Sequence, residues 1–456
     1  MFRNKKIGVL GTVNSGKTVL LTSLLWHLYE FSPGSFRIGK EKNAEIKDAN
    51  PVYNLGNRDF NYTAYRRQFV EQGRWPDKTQ DFAIARCTYN RTDSFWEHDV
   101  TFVDIPGERV SDVFIWQATD YADWTWKIER FWSGDTNILA SMDAFKKCCQ
   151  QVETTSASAS ESWDDLVKEY RNGLVALAGN FSPFITPSTF VLTIGGETMD
   201  GLSEEDIESR PIWNEGDFFP LPGKWRNSQN DVLRSLYERC ESNFKKYKKT
   251  VLKPFYKEID ECDSFIVCVD IFNILASGLS RFYQVKEEIN MFFQMIRPSK
   301  FGEILINAQK AMNYIGLNYL LPNFIQTKPP KIAYVATKSD MAISGNGKNR
   351  LEKLLGDLVR NVNNSSYVNS KLFTCCAGKT FEYDPDSNRI VFLTARGENH
   401  VPLDKCPELP TSWEKWDKDQ YRGFLCEGIP LQVVAGAPPE QNNLDKLFDY
   451  ITGDDD

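Results

Sequence analysis

Residues 6–18 read KIGVLGTVNSGKT: an apolar run ending at Leu10, then Gly11-Thr-Val-Asn-Ser-Gly16-Lys17-Thr18. The run VLLTSLLWHLYEF follows, apolar on more than one face, as in a helix packed under a sheet. A strand, GxxxxGK[ST] and a helix in this order form the pattern of a phosphate-binding loop. Consecutive backbone N–H groups from Asn14 to Val19 (Asn14, Ser15, Gly16, Lys17, Thr18, Val19) would wrap the phosphates. The helix N-terminus adds unpaired donors and its positive dipole end. Lys17 supplies a point charge to the terminal phosphates, and Thr18 offers a hydroxyl to Mg2+. Residues 377–380, AGKT, imitate the end of the motif, but Phe373 stands where the first glycine belongs, so no second loop of this kind is expected.

Two further segments point to a guanine nucleotide. HDVTFVDIPGE, residues 98–108, is an apolar strand ending in Asp104, with Gly107 three residues on. Asp104 is placed to hold Mg2+ through a water, and the Gly107 N–H to meet a γ-phosphate. KIAYVATKSD, residues 331–340, delivers Thr337-Lys338-Ser339-Asp340, which fits [NT]KxD. The Asp340 carboxylate can accept paired N–H bonds from guanine N1 and its exocyclic amine. Adenine has no such donor pair and would leave the carboxylate unpaired. Lys338 can lay its stem over the base, and Thr337 can tie this loop to the phosphate loop. Ala377, after the strand-like KLFTCC, either donates its N–H to guanine O6 or is an ordinary strand end.

Phosphoryl transfer needs positioning and charge neutralisation more than covalent help. Lys17 and Mg2+ supply charge. Thr79, before QDFAIARCTY, is the threonine expected to close over Mg2+, with Thr88 and Thr92 as alternatives. Glu108 stands where many small GTPases carry Gln. It is either a catalytic residue that orients water, once its pKa is raised, or a structural partner of Arg109 or another base. Asn14 occupies a position where some GTPases hold a monovalent cation. Slow intrinsic turnover is expected.

The rest of the composition excludes several classes. Of 456 residues, 41% are hydrophobic and 25% charged, an ordinary globular balance. The formal charge of −8 does not favour nucleic acid. The basic stretch NFKKYKKT, residues 243–250, reads as the solvated face of a helix. MFRNKKIGVLG has no signal-peptide pattern, and the best apolar run, FIVCVDIF, suits a buried strand only. Ten cysteines without a CxxC pair and three histidines argue against zinc and for reduced thiols in a cytoplasmic protein.

An α/β fold is predicted: a P-loop G-domain from residues 1–109 and 255–385, interrupted by a helical and mixed domain over 110–254. About 150 residues separate Gly107 from the next strand, DSFIVCVDIF, enough for such a domain. TTSASASES, residues 154–162, reads as a mobile loop. Residues 181–201 and DFFPLPGKW read as Pro-rich short strands, and residues 231–259 as a long helix. Residues 386–456 form a β-rich extension, including RGFLCEGIPLQVVAG as a strand candidate, with a last helix, 444–451, returning to the G-domain.

With these motifs placed, the chain resembles the YcjX-like family of bacterial P-loop proteins, a stress-associated GTPase or predicted-ATPase family, from about residue 5 to residue 451. VDIPGE resembles that family's form of DxxG. STFVLTIGGETMDG, DFFPLP, VLKPFYKEIDECDSFIVCVDIFNILASG, KIAYVATKSD and LTARG resemble its further segments. The resemblance implies a Ras-like three-layer α/β/α G-domain and GDP/GTP binding with Mg2+. It also implies a role near envelope or heat stress beside a membrane-protein partner, peripheral to the inner membrane face, and leaves room for a homodimer. It supports Lys17, Thr18, Asp104, Gly107, Glu108, Thr337, Lys338 and Asp340, and more loosely Ala377 and Arg396. Asn14 departs from the family, which puts cation activation in doubt. Three readings follow: a regulatory GTPase, a nucleotide-dependent scaffold without turnover, and an ATPase whose TKSD is a plain loop.

Overall fold

The computed structural model describes residues 3–12, 15–30, 36–38, 44–53, 58–72, 74–76, 83–105, 107, 112–133, 136–155, 157–180, 217–296, 330–342, 346–363, 369–384, 389–394, 397–402, 408–414, 416–425 and 438–453. Asn14, Thr79, Glu108, Arg109, Arg396 and the 181–201 segment lie outside them. The chain divides into two compact units, one of residues 1–107 with 259–456 and one of residues 108–258.

The first unit is α/β. Its strands are β1 (Arg3–Gly11), β2 (Arg37–Ile38), β3 (Ala44–Val52), β4 (Ala83–Arg91), β5 (His98–Asp104), β6 (Ser264–Val269), β7 (Lys331–Ala336) and β8 (Asn369–Thr374). They form one sheet in the order β2-β3-β4-β5-β1-β6-β7-β8. From β5 to β8 every pairing is parallel, and β2 to β5 pair antiparallel. The four central apolar runs become strands because both their faces are covered. Ile266, Cys268, Ala333 and Val335 pack in one cluster with the helices Lys17–Tyr29 and Leu444–Thr452, through Leu20, Leu24, Leu28, Leu447 and Phe448. The alternate residues Phe265, Val267, Ile332 and Tyr334 are equally buried. The helix Gly347–Asn363 runs along β7 and β8 and buries Leu351, Leu354, Leu355 and Leu358. A separate antiparallel sheet joins β9 (Phe381–Asp384), β10 (Arg389–Thr394) and β11 (Gly397–Pro402).

The second unit is helical where described, with helices Val113–Gln117, Tyr121–Ser133, Asp143–Thr154, Ala159–Asn180 and Asp231–Tyr247 among them. Its tryptophans serve packing: Trp124 and Trp132 are buried among Tyr121, Phe145, Tyr170, Phe218 and Phe244. The Tyr121 hydroxyl donates to the Phe219 carbonyl at 2.6 Å and accepts the Leu221 N–H at 3.0 Å, pinning the irregular FFPL segment to the helices.

Three local expectations are corrected. TTSASASES is not a loop throughout: it joins two helices, and its second half starts the helix Ala159–Asn180. Ser158 and Glu161 form a reciprocal cap, with Glu161 accepting the Ser158 N–H at 3.0 Å and Ser158 Oγ accepting the Glu161 N–H at 3.3 Å. DFFPLPGKW holds no strand. Pro220 and Pro222 remove ladder donors, and a 3-10 turn, Gly223–Asn227, follows. Residues 422–425, expected as strand, lie in the 3-10 stretch Lys418–Leu425.

His27 ties the first helix to the C-terminal segment. Its Nε2 donates to the Pro439 carbonyl at 3.1 Å, its ring stacks on Phe36, and Nδ1 finds no partner among the described residues. A carbonyl only accepts, so the neutral Nε2–H tautomer is the one held. Burial pushes this imidazole down to about 4, outweighing the carbonyl contact that favours its proton. The unfolded chain therefore takes up a proton at higher pH than the folded one. Stability is full above pH about 6.5 and falls as pH drops towards about 4. The contribution lost between pH 7 and pH 5 is about 2 kcal/mol. Urea midpoints at those two pH values should fall accordingly in the wild type, and by clearly less in His27→Gln, which keeps a donor but does not titrate.

Candidate functional site

At the end of β1, glycine is required sterically. A Cβ on Gly11 would sit 2.8 Å from the Cys268 carbonyl oxygen and would also collide with Ser15 Oγ. Gly16 has φ of +80°, a left-handed backbone that favours glycine, and its carbonyl accepts the Leu20 N–H at 2.8 Å to start the helix. The Ser15 N–H donates to the Thr12 carbonyl at 3.1 Å. Thus Ser15, Gly16, Lys17, Thr18 and Val19 form a turn running into the first helical turn, whose leading N–H groups have no acceptor within the helix. Lys17 folds back across the loop and donates from Nζ to the Gly11 carbonyl at 3.2 Å.

Asp104 ends β5 opposite Val9 of β1 and is fully buried. It and Lys17 both act on the Cys268 thiol at the end of β6. Burial pushes that thiol up to about 12, with Lys17 pulling down and Asp104 pushing up. A buried carboxylate and an ammonium thus lie at the same end of the sheet. Gly107 follows at the close of the first unit, half-buried. Among the described residues no group of three or more His, Cys, Asp and Glu is set to hold a metal. Mg2+ held by one carboxylate, one hydroxyl and phosphate oxygens does not need such a group, and Asp104 and Thr18 offer that donor set.

The second half of the site lies at the ends of β7 and β8. Thr337 is buried. Its N–H donates to the Val269 carbonyl at 3.0 Å, and its Oγ1 donates to the Ser15 carbonyl at 2.9 Å. The TKSD loop and the glycine loop are therefore joined directly. Lys338 adopts a left-handed backbone, φ 59° and ψ 36°, uncommon for a residue with a side chain. Its Nζ pairs with Asp270 Oδ2 at 2.6 Å, while Asp270 Oδ1 caps the helix Ile271–Ser277 by accepting the Asn273 N–H. The Ser339 N–H donates to the Cys375 carbonyl at 3.1 Å. Asp340 Oδ2 accepts the Thr380 N–H at 2.8 Å and its Oγ1–H at 2.6 Å. The Ala377 carbonyl accepts Ser23 Oγ–H from the first helix.

A model of the YcjX-like family, DUF463, matches residues 5–454. The chain belongs to the YcjX-like family. It is also similar to a protein of Shewanella oneidensis named Ras-like GTPase YcjX, 22% identical over 261 residues, or 52% of this chain and 49% of that protein. The match therefore spans about half the length of that relative.

In this YcjX-like chain the loops carrying Ser15, Lys17, Thr337, Lys338, Asp340 and Ala377 meet at one edge of one sheet, with Asp104 at the end of a neighbouring strand. Thr88 and Thr92 are not brought there. β4 runs antiparallel to β5 and places Ala83 opposite Asp104, so Thr88 lies opposite Asp99 and Thr92 at the far turn, where it accepts the Glu45 N–H. Motif reading missed Asp270, Ser23, Thr380 and Asn442, whose Nδ2 donates to Ser339 Oγ at 3.0 Å. Asp270 was detectable as a carboxylate at a strand end. The others are fixed by tertiary pairing alone.

Gly11 gives this geometry a direct check. In Gly11→Ala the loop must shift against backbone, at a cost of about 1–3 kcal/mol. A titration with a nucleoside diphosphate is expected to show at least tenfold weaker binding, with the circular-dichroism spectrum of a folded protein retained.

Proposed function

We propose that this chain is a guanine-nucleotide-binding P-loop protein with a Ras-like G-domain, acting as a slow, regulatory GTPase. The observation that carries the reading is the 2.9 Å bond from Thr337 Oγ1 to the Ser15 carbonyl. It couples the glycine loop, which this reading assigns to the phosphates, to the loop carrying Asp340, which it assigns to the base. The relative's name, Ras-like GTPase, supports the same reading.

In this mechanism the N–H groups from Asn14 to Val19 cradle the phosphates, and Lys17 leaves the Gly11 carbonyl for the terminal phosphate oxygens. Guanine N1–H and its exocyclic amine donate to Asp340, the Lys338 stem covers the base, and the Ala377 N–H meets O6. Mg2+, if bound, would supply charge neutralisation to the phosphates. Thr18 would hold it directly and Asp104 through a water, and Thr79 is the threonine that would close over it. Gly107 senses the γ-phosphate, and Glu108 orients the attacking water or pairs with a neighbouring base. The family resemblance adds a stress-linked role at the cytoplasmic face of a membrane, beside a membrane-protein partner. No helix among the described residues is long and apolar enough to cross a membrane itself. Glu108 in place of Gln favours one second reading, a nucleotide-dependent scaffold without useful turnover.

Titration of nucleotide-stripped protein with GDP, GTP, ADP and ATP in Mg2+ should show at least tenfold guanine preference, lost in Asp340→Ala. Equal adenine binding, insensitive to that change, points to an ATPase instead. Phosphate release from GTP should fall at least tenfold in Lys17→Ala. No release from the wild type, with guanine binding intact, leaves the scaffold.

A further inference from the structure

Asp340 sits on a loop and is only partly buried, so its carboxylate needs a hold if it is to meet two donors in one plane. Thr380 supplies that hold. Both of its donors, N–H at 2.8 Å and Oγ1–H at 2.6 Å, reach the same oxygen, Oδ2. Thr380 is itself buried, 6% exposed, and its hydroxyl makes this bond. The Cys376 thiol lies against the same carboxylate.

Thr380 is held in turn from the other end of the chain. The Cys376 and Asn442 backbones exchange hydrogen bonds, N–H to carbonyl at 3.1 and 3.0 Å. The Lys379 N–H donates to the Glu440 carbonyl at 3.0 Å, so the residue next to Thr380 is anchored directly. Asn442 also reaches Ser339, next to Asp340. One short segment, residues 440–442, thus fixes both the carboxylate's loop and the residue that grips it.

We propose that Thr380 is a specificity-determining positioning residue, setting the Asp340 carboxylate to accept the two donors of guanine. The proposal rests on the guanine reading given above. A rotating carboxylate can still accept one N–H from any base that offers one. Accepting N1–H and the exocyclic amine together requires a fixed carboxylate plane. Loss of Thr380 therefore weakens a base with both donors more than one with a single donor. A tie that merely closes the loop would instead lower stability, or affinity for all nucleotides alike.

The experiment compares GDP with IDP, whose base keeps N1–H and lacks the exocyclic amine, in wild type, Thr380→Val and Thr380→Ser. Wild type should prefer GDP. Thr380→Val removes one hydrogen bond to a charged group, so GDP affinity should fall about tenfold. IDP should lose less, so the GDP/IDP ratio drops at least threefold, and Thr380→Ser should restore it. Urea midpoints of all three report folding. If Thr380→Val does not fold, Asn442→Ala, which frees Ser339, takes its place with the same expected drop in ratio. A ratio unchanged in the variants while wild type prefers guanine overturns the positioning role alone, as does tighter GDP binding by Thr380→Val. A wild type without guanine preference overturns the nucleotide reading and this proposal with it.

Discussion

Five strands, β5, β1, β6, β7 and β8, run parallel and end at nearly one level, and every part of the candidate site depends on that register. Gly11 lies beside Cys268, Val269 beside Ala336, and Ala336 beside Thr374. Parallel neighbours deliver their following loops to the same edge, where ligands bind in open α/β sheets. β1 lies between β5 and β6, where the connections diverge to the two sides. The glycine loop leaves from that strand. Pairing β6 and β7 one residue out of register would move Thr337 from the Val269 carbonyl and with it the bond to Ser15. Both faces of these strands are apolar and buried, so shape rather than polarity opposes such a slip: it would exchange Ala333 and Tyr334 between layers packed around each of them.

Residues far away in sequence meet this edge and run on to the opposite one, where β6 and β7 begin. The segment 439–453 meets His27 through Pro439, Cys376 through Asn442, and Ser264 through Ile451. Lys331 Nζ, at the start of β7, donates to the carbonyls of Tyr450 and Gly453. Residues 381–402, with their own small sheet, stand between β8 and this last helix. Contacts of such sequence separation demand loop closure before they return any stability. The part of the candidate site around Asp340 is therefore completed by the final residues of the described chain, whereas the glycine loop forms within the first 30.

What was legible in the sequence tracks how local each cause is. β1, the glycine loop and the helix after it announce themselves within 29 residues, because apolar runs and two glycines with special steric duties are local facts. β5 with Asp104 and β7 with TKSD were readable for the same reason. The β2–β3 hairpin was not: AEIKDANPV carries Asp, Asn and Pro, poor strand formers, and owes its conformation to pairing with β4. TTSASASES misled because composition said loop, while a two-residue cap, Ser158 with Glu161, decided helix. Thr380 was hidden inside a segment that imitates a phosphate loop. Its role depends on residues 40 positions earlier and 60 later, and no window of sequence contains both.

Lys338 shows how the TKSD loop is kept rigid by its neighbours. Its left-handed backbone costs free energy for a residue with a Cβ, about 1 kcal/mol or more. Neighbours over-determine that conformation: Thr337 is bonded to two carbonyls, Ser339 to the Cys375 carbonyl and to Asn442, and the Lys338 ammonium to Asp270. Asp270 is almost fully buried, so its charge is tolerable only because Lys338 and the Asn273 N–H satisfy it. The pairing works in both directions. The lysine makes a buried carboxylate possible at the end of β6, and the carboxylate holds the lysine stem beside the loop where a flat ring would lie. On the proposed guanine reading, a loop fixed in this way loses little conformational freedom when the base binds, so contacts to the base contribute to affinity with little offset from ordering the loop.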